Sequence, residues 1–173
     1  MDLLQAVSEV LTPFIAALAI GLTVWQVHVT RKHNRLSCLP EIVLDKRMHR
    51  DGKQMTLSYF ICNYGIGPAK IKEMKLFLDK ELFDNGEPAK NIIKKALATS
   101  VNYEVTYASR LNPKYTIPEK GEYLLARIVV ERWIDRYDEY INFHLIDVCV
   151  HIEYASFYDE EKIFISRLGE TRE

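Results

Sequence analysis

Only three cysteines occur in 173 residues, Cys38, Cys62 and Cys149, an odd number at wide spacing. That excludes the disulfide framework of a small secreted domain and suits reduced thiols in a cytoplasm. There is no Cys-x-x-Cys pair, and His28, His33, His49, His144 and His151 form no His-x-x-x-His pair, so zinc has little to bind. Cys149 and His151 would share one face of a strand, but two ligands do not make a metal site. Charge of one sign is also missing. With 23 basic and 24 acidic residues the formal net charge is −1, which argues against a general nucleic-acid binder. Serine, histidine and aspartate are scattered as chance would scatter them, so the sequence predicts no catalytic residue, no metal ligand, no cofactor and no enzyme activity.

The most informative absence is of charge along one stretch. From Val10 to Val29 there is no charged side chain, and the one strongly polar group is Gln26. About 20 residues rising about 1.5 Å each cover roughly 30 Å of hydrocarbon, a full crossing. Residues 10–30 are therefore expected to form a single transmembrane helix beginning near Leu11, with Pro13 in its first turn and Trp25 at the headgroups. Asp2 and Glu9 precede the span, whereas Arg31, Lys32 and Arg35 follow it. This bias puts the N-terminus outside and residues 31–173 in the cytoplasm, so the expected location is the inner (cytoplasmic) membrane. A cleaved secretory signal would need a positive n-region, which Met1-Asp2-Leu3-Leu4 does not supply. A buried soluble helix would show a polar stripe, and none exists between Leu11 and Val24. Ala17 and Gly21 lie four apart on one face, a spacing that permits helix packing in the membrane, although it is common in any apolar helix.

Beyond the basic connector 31–40, closed by Pro40, about 140 residues remain, enough for one domain with a real core. From Glu41 the pattern is of strands. Ile42-Val43-Leu44 leads through a polar run to Asp51-Gly52, a tight hairpin turn, and Met55 to Cys62 alternates as the return strand. The run Asn63-Tyr64-Gly65-Ile66-Gly67-Pro68-Ala69 reads as a strand-to-strand corner needing unusual φ at its glycines and a fixed φ at Pro68. It lacks the Lys-Ser/Thr of a P-loop and the spacing of a dinucleotide fingerprint, so phosphate binding is the weaker reading. Ile71 to Leu78 follows as a strand or a short helix. Pro88 opens a helix with Lys90, Lys94 and Lys95 outward, Val101 to Tyr107 alternates as a strand, and Glu122 to Glu131 is the central strand. Trp133 to Leu145 leans helical, with the charged run Arg132, Asp135, Arg136, Asp138 and Glu139 as a solvated face. Asp147 to Ser156 and Lys162 to Ser166 are the last strands, joined by a turn at Tyr158 to Glu161, and 168–173 is a charged, frayed tail.

The expected fold is mainly β: the transmembrane helix, then one antiparallel immunoglobulin-like β-sandwich over 41–167 with one or two minor helices. The Arg31-Lys32-His33-Asn34-Arg35-Leu36-Ser37 run after a single span, the Asn63-x-Gly65-x-Gly67-Pro68-Ala69 corner and the Ile152-x-Tyr154 strand before a Tyr158-Asp159-Glu160 turn together carry a resemblance. The chain resembles a loose group of uncharacterised bacterial single-pass membrane-anchored β-sandwich proteins. The resemblance implies the anchor and the fold and transfers no active site.

Two functions are expected to compete. One is a non-enzymatic interaction module at the lipid bilayer, presenting a sheet edge or loop surface to a protein partner or to a second copy. The other is a ligand-gated membrane effector of bacterial or phage defence, in which the domain senses a small nucleotide and the spans oligomerise. The 10 tyrosines offer stacking surfaces for a base, though strands use tyrosine as readily.

Overall fold

The computed structural model describes residues 3–83, 88–97, 102–131 and 137–170. It divides into two compact units, Met1–Ser37 and Cys38–Glu173.

The first unit is one helix, α1, Leu3–Leu36, of 34 residues. At about 1.5 Å per residue it is roughly 50 Å long, more than the roughly 30 Å of a bilayer core. Residues 11–36 are long and apolar enough to cross a membrane, and their side chains are exposed. The Thr23 hydroxyl donates to the Ala19 carbonyl at 2.8 Å, so this polar group is satisfied inside the helix and can face lipid. His33 and Arg35 occupy the last turn, where positive charge meets the negative end of the helix dipole. Ser37 closes that turn, its N–H and its hydroxyl each donating to the His33 carbonyl at 2.9 Å. Pro13 differs from expectation. The helix begins at Leu3, ahead of the apolar run, so Pro13 lies in the interior and not in the first turn.

The second unit is the expected sandwich. Its strands are β1 (Ile42–Asp51), β2 (Gln54–Asn63), β3 (Ala69–Leu78), β4 (Glu81–Leu82), β5 (Tyr103–Ala108), β6 (Thr116–Ile117), β7 (Glu122–Val130), β8 (Val148–Ala155) and β9 (Glu161–Arg167). One antiparallel sheet runs β1-β2-β7-β5 and the other β4-β3-β8-β9, with β6 added to the start of β3. This order corresponds to the ABED and CFG sheets of an immunoglobulin domain, with β4 as an extra edge beside the C position. Two helices, α2 (Ala89–Ala96) and α3 (Tyr137–Leu145), complete the unit.

Alternation along the strands makes the core. Leu57, Tyr59 and Ile61 on β2, Ile128 and Val130 on β7, and Val148, Val150 and Ile152 on β8 are completely buried between the sheets. β7 sits between β2 and β5, the central place its apolar run predicts. The β1–β2 hairpin turns at Gly52, whose φ of 59° is the positive value the turn requires. Pro88, at φ −57°, opens α2, and Ile92 and Ile93 carry that helix into the core.

Several expectations are corrected. β1 does not end at Leu44 but continues to Asp51, with exposed polar residues over its second half. An edge strand is held by the ladder to its neighbour and needs no apolar partner at every second position. β3 is a strand throughout. Tyr107 is exposed, because a bulge between Val105 and Tyr107 puts an extra residue opposite β7 and turns the side chain out of the alternation. β6 falls where a loop was expected. The segment after β9 starts as a packed element: Leu168 is 2% exposed and the Gly169 N–H donates to the Leu145 carbonyl at 3.1 Å. Val101, the charged positions Arg132, Asp135 and Arg136, and the end of the tail lie outside the described residues.

Candidate interaction surface

The Asn63 corner is held by a dense set of hydrogen bonds. Asn63 ends β2 fully buried. Its Oδ1 accepts the N–H groups of Glu41 and Gly65, both at 3.1 Å. Its Nδ2 donates to the carbonyls of Gly67 at 2.8 Å, Pro118 at 3.1 Å and Ile117 at 3.2 Å. One amide thus ties the entry to β1, the corner itself and the β6–β7 loop together. The Tyr64 N–H goes to the Glu41 carbonyl and the Ile66 N–H to that of Leu39. The connector thus takes the N–H groups of Tyr64 and Ile66 and the Asn63 side chain takes that of Gly65, leaving none of the three to offer a phosphate.

Gly65 and Gly67 are needed for a different reason from the one expected. Among the described glycines only Gly52 has positive φ. What the corner requires is closeness. A Cβ on Gly67 would lie 2.5 Å from the Cys38 carbonyl carbon and closer still to its oxygen, and one on Gly65 would lie 2.6 Å from the carbonyl carbon of Pro40. Pro68, half-buried, then leads into β3.

On the outer face of the first sheet, Arg47 on β1 reaches across β2 to Glu122 on β7, with Nη1 2.8 Å from Oε2, while its Nε contacts Asp45 at 2.9 Å. The guanidinium lies 4.5 Å from the Phe60 ring centre. Hydrogen bonding to Glu122 holds the Arg47 pKa above its ordinary value, and the same bond holds the Glu122 carboxyl below the usual carboxylate range. Cys62 lies buried beside this group, and burial pushes its thiol pKa up. The cluster is a solvated brace across three strands, not a poised acid–base pair.

The second sheet presents a different outer face. On β9 the residues alternate, with Lys162, Phe164 and Ser166 half-buried and Glu161, Ile163, Ile165 and Arg167 exposed. Ile163 is 64% exposed and Ile165 63%, both on a strand with a neighbour on one side only. Beside them opens a cleft of about 580 Å³ in which Phe77, Cys149, His151 and Ile165 are joined by two basic side chains, Lys80 and Arg167, and two acidic ones, Asp79 and Asp147. Phe77 and His151 stack at 6.3 Å. The buried Nε2 of His151 has no hydrogen-bond partner, its nearest acid being Glu153 Oε1 at 3.9 Å. Burial raises the Cys149 thiol pKa, which keeps it a weak nucleophile at neutral pH. Among the described residues no three His, Cys, Asp or Glu side chains converge on a point that could hold a metal.

The residues singled out from the sequence fall into two groups. Leu11, Ala17, Gly21, Trp25, Arg31, Lys32 and Arg35 all lie along the exposed helix, and a Cβ on Gly21 would meet nothing within 4 Å. Asn63, Gly65, Gly67 and Pro68 come together in the corner. Sequence reasoning missed Ile163 and Ile165. Their signal was present in Ile163-Phe164-Ile165: three consecutive apolar residues on a terminal strand must send at least one away from the core.

Compared with known proteins, the chain matches no protein-family model and no curated relative.

Proposed function

We propose that this chain is a single-pass inner-membrane protein whose N-terminus lies outside and whose sandwich works in the cytoplasm as a non-enzymatic interaction module. The observation that carries the reading is the outer face of β9, where Ile163 and Ile165 stand exposed on an open sheet edge. Exposed apolar side chains on an unguarded edge are the feature sheets use to recruit another chain. The orientation rests on Arg31, Lys32 and Arg35 following the span.

The test places a photoreactive phenylalanine analogue at Ile163 of the full-length chain in cells, with the same residue at exposed Asn112 as control. A discrete adduct from position 163 and none from 112 is the expected result. Equal or absent crosslinking at the two positions overturns the module.

A second reading, the ligand-gated effector, draws on the cleft. Its Phe77 and His151 rings could stack a base, and Lys80 and Arg167 could receive phosphate against the opposing charge of Asp79 and Asp147, within a volume suited to a small nucleotide. Nucleotide-dependent oligomerisation of the full chain, abolished by Phe77→Ala, would establish it. The same oligomeric state with and without nucleotide would remove it.

A further inference from the structure

The backbone of β9 specifies what its open edge can accept. The Ser156 N–H donates to the Glu160 carbonyl and the Leu168 N–H to the Val148 carbonyl. Both bonds belong to the β8–β9 pairing, in which Cys149 faces Arg167 and Ala155 faces Glu161. In an antiparallel ladder hydrogen-bonded pairs alternate with non-bonded ones. Even-numbered residues of β9 thus direct N–H and C=O towards β8, and residues 161, 163, 165 and 167 direct theirs to the open edge. These are the same residues whose side chains are exposed. Lys162, the one lysine on the strand, turns back to the Pro40 carbonyl at 3.4 Å, so its charge does not project from the edge as a guard. β1, also terminal in its sheet, differs, since Asp45, Lys46, Arg47, His49 and Arg50 crowd it with charge.

We propose that β9 pairs with β9 of a second copy of this chain, antiparallel about a two-fold axis at Phe164, making one sheet continuous across two domains. This rests on the reading of the sandwich as an interaction module and names its partner. The register follows from complementarity. Centred on Phe164, the pairing sets Ile163 opposite Ile165 of the other copy and Glu161 opposite Arg167 of the other copy, each twice by symmetry. The opposed residues are those whose backbone groups point outward, so each pair exchanges two ladder bonds. Sliding the pairing by two residues keeps one apolar pair on the axis, Ile163 on Ile163 or Ile165 on Ile165, but sets Ile165 against Glu161 in the first case or Ile163 against Arg167 in the second, and loses both Glu161–Arg167 pairs. Sliding it by one opposes outward-pointing groups to inward-pointing ones. Glu161 also meets Lys72 from β3, an exposed contact that leaves carboxylate lone pairs for a second partner.

The experiment co-expresses two differently tagged full-length chains, one Ile163→Cys and the other Ile165→Cys, and oxidises the isolated membranes mildly. Wild-type chains, with their native thiols, set the baseline. Directly opposed residues lie about 5.5 Å apart at Cα and diagonal ones about 7–8 Å, and disulfides form up to about 6.8 Å. The mixed 163–165 disulfide is expected, in clear excess over either homotypic product. Equal yields of mixed and homotypic products, as proximity through the spans alone would give, overturn the pairing, and so does the absence of dimer. A charge-swap cycle supplies a second readout through the dimer fraction of the full chain in detergent. Glu161→Arg and Arg167→Glu should each lower dimer affinity roughly tenfold, and the double variant should restore it. Single swaps without effect, or a double variant that stays monomeric, also overturn it. An adduct from position 163 that contains a different protein would leave the module standing and remove self-pairing alone.

Discussion

The N–H of Glu41 donates to the side-chain oxygen of Asn63 at 3.1 Å, across 22 residues of chain. The bond joins the segment leaving the connector to the end of β2, and the remaining valences of the same amide hold Gly65, Gly67, Ile117 and Pro118. Replacing Asn63 with leucine strands these buried groups, each costing about 1–3 kcal/mol, and the domain should lose about 3 kcal/mol or more. Thermal unfolding followed by circular dichroism should show a fall of roughly 6–12 °C at about 2–4 °C per kcal/mol. Asn63→Asp should be worse than its size suggests, since it sets a carboxylate oxygen against three carbonyls. A melting temperature unchanged in both variants would contradict the role given to this residue.

Glycine tolerance should separate by position. Gly67→Ala forces the Cys38 carbonyl to move and should destabilise the domain by about 1–3 kcal/mol, whereas Gly21→Ala, in open space on a helix, should be neutral or slightly stabilising. Limited proteolysis supplies the check: the Gly67 variant should be cut in the connector at 37–41 and the Gly21 variant should not.

The Arg47–Glu122 brace predicts a direction of pH dependence. Glu122 has a folded-state pKa below its ordinary 4.5, so its contribution is present above that value and is lost as pH falls through the lowered folded pKa. Glu122→Gln should lower the melting temperature modestly at pH 7, where the contribution is fully present, and flatten the acid limb below about pH 4.5, so that the two proteins converge at low pH. Because the pair is exposed, the effect should shrink in high salt. An identical acid limb in the variant would remove the brace.

Thiol chemistry should rank by burial. Cys62 is fully buried with a raised pKa, and Cys149 is half-buried with a raised pKa. At pH 7.5 a soluble thiol reagent should modify Cys62 only on unfolding, with Cys149 modified slowly in the native state. Rapid native-state labelling of Cys62 would contradict its placement under Arg47.

Much of the fold was legible because its signals are local. The charge-free stretch from Val10 to Val29, the alternation of β2 and β8, the turn chemistry of Asp51-Gly52 and the continuous apolar run of β7 each lie within a few residues. The missed features depend on distant partners. The outer half of β1 is a strand because β2 supplies its ladder, β6 exists only through its pairing with Ala69 and Lys70, and Tyr107 faces out because of a bulge against β7. At the corner the residue types were read correctly and their reason was not. Gly65 and Gly67 looked like positive-φ residues, but the need for them comes from the chain at 38–41, which precedes them by more than twenty positions. The β9 surface was hidden for a related cause. Ile163-Phe164-Ile165 has no period, and only the sheet order shows that, among the described residues, β8 alone is hydrogen-bonded along it.

The corner also decides where mechanical load would enter the sandwich. Tension carried along the chain from the helix arrives at residues 38–41, whose backbone is bonded to Tyr64, Ile66 and Asn63 before the β1 ladder begins at Ile42. Those few bonds would have to part before the first rung of β1 felt any force. The tight fit of Cys38 over Gly67 makes the junction a clamp that shields the edge of the first sheet from pulling on its tether.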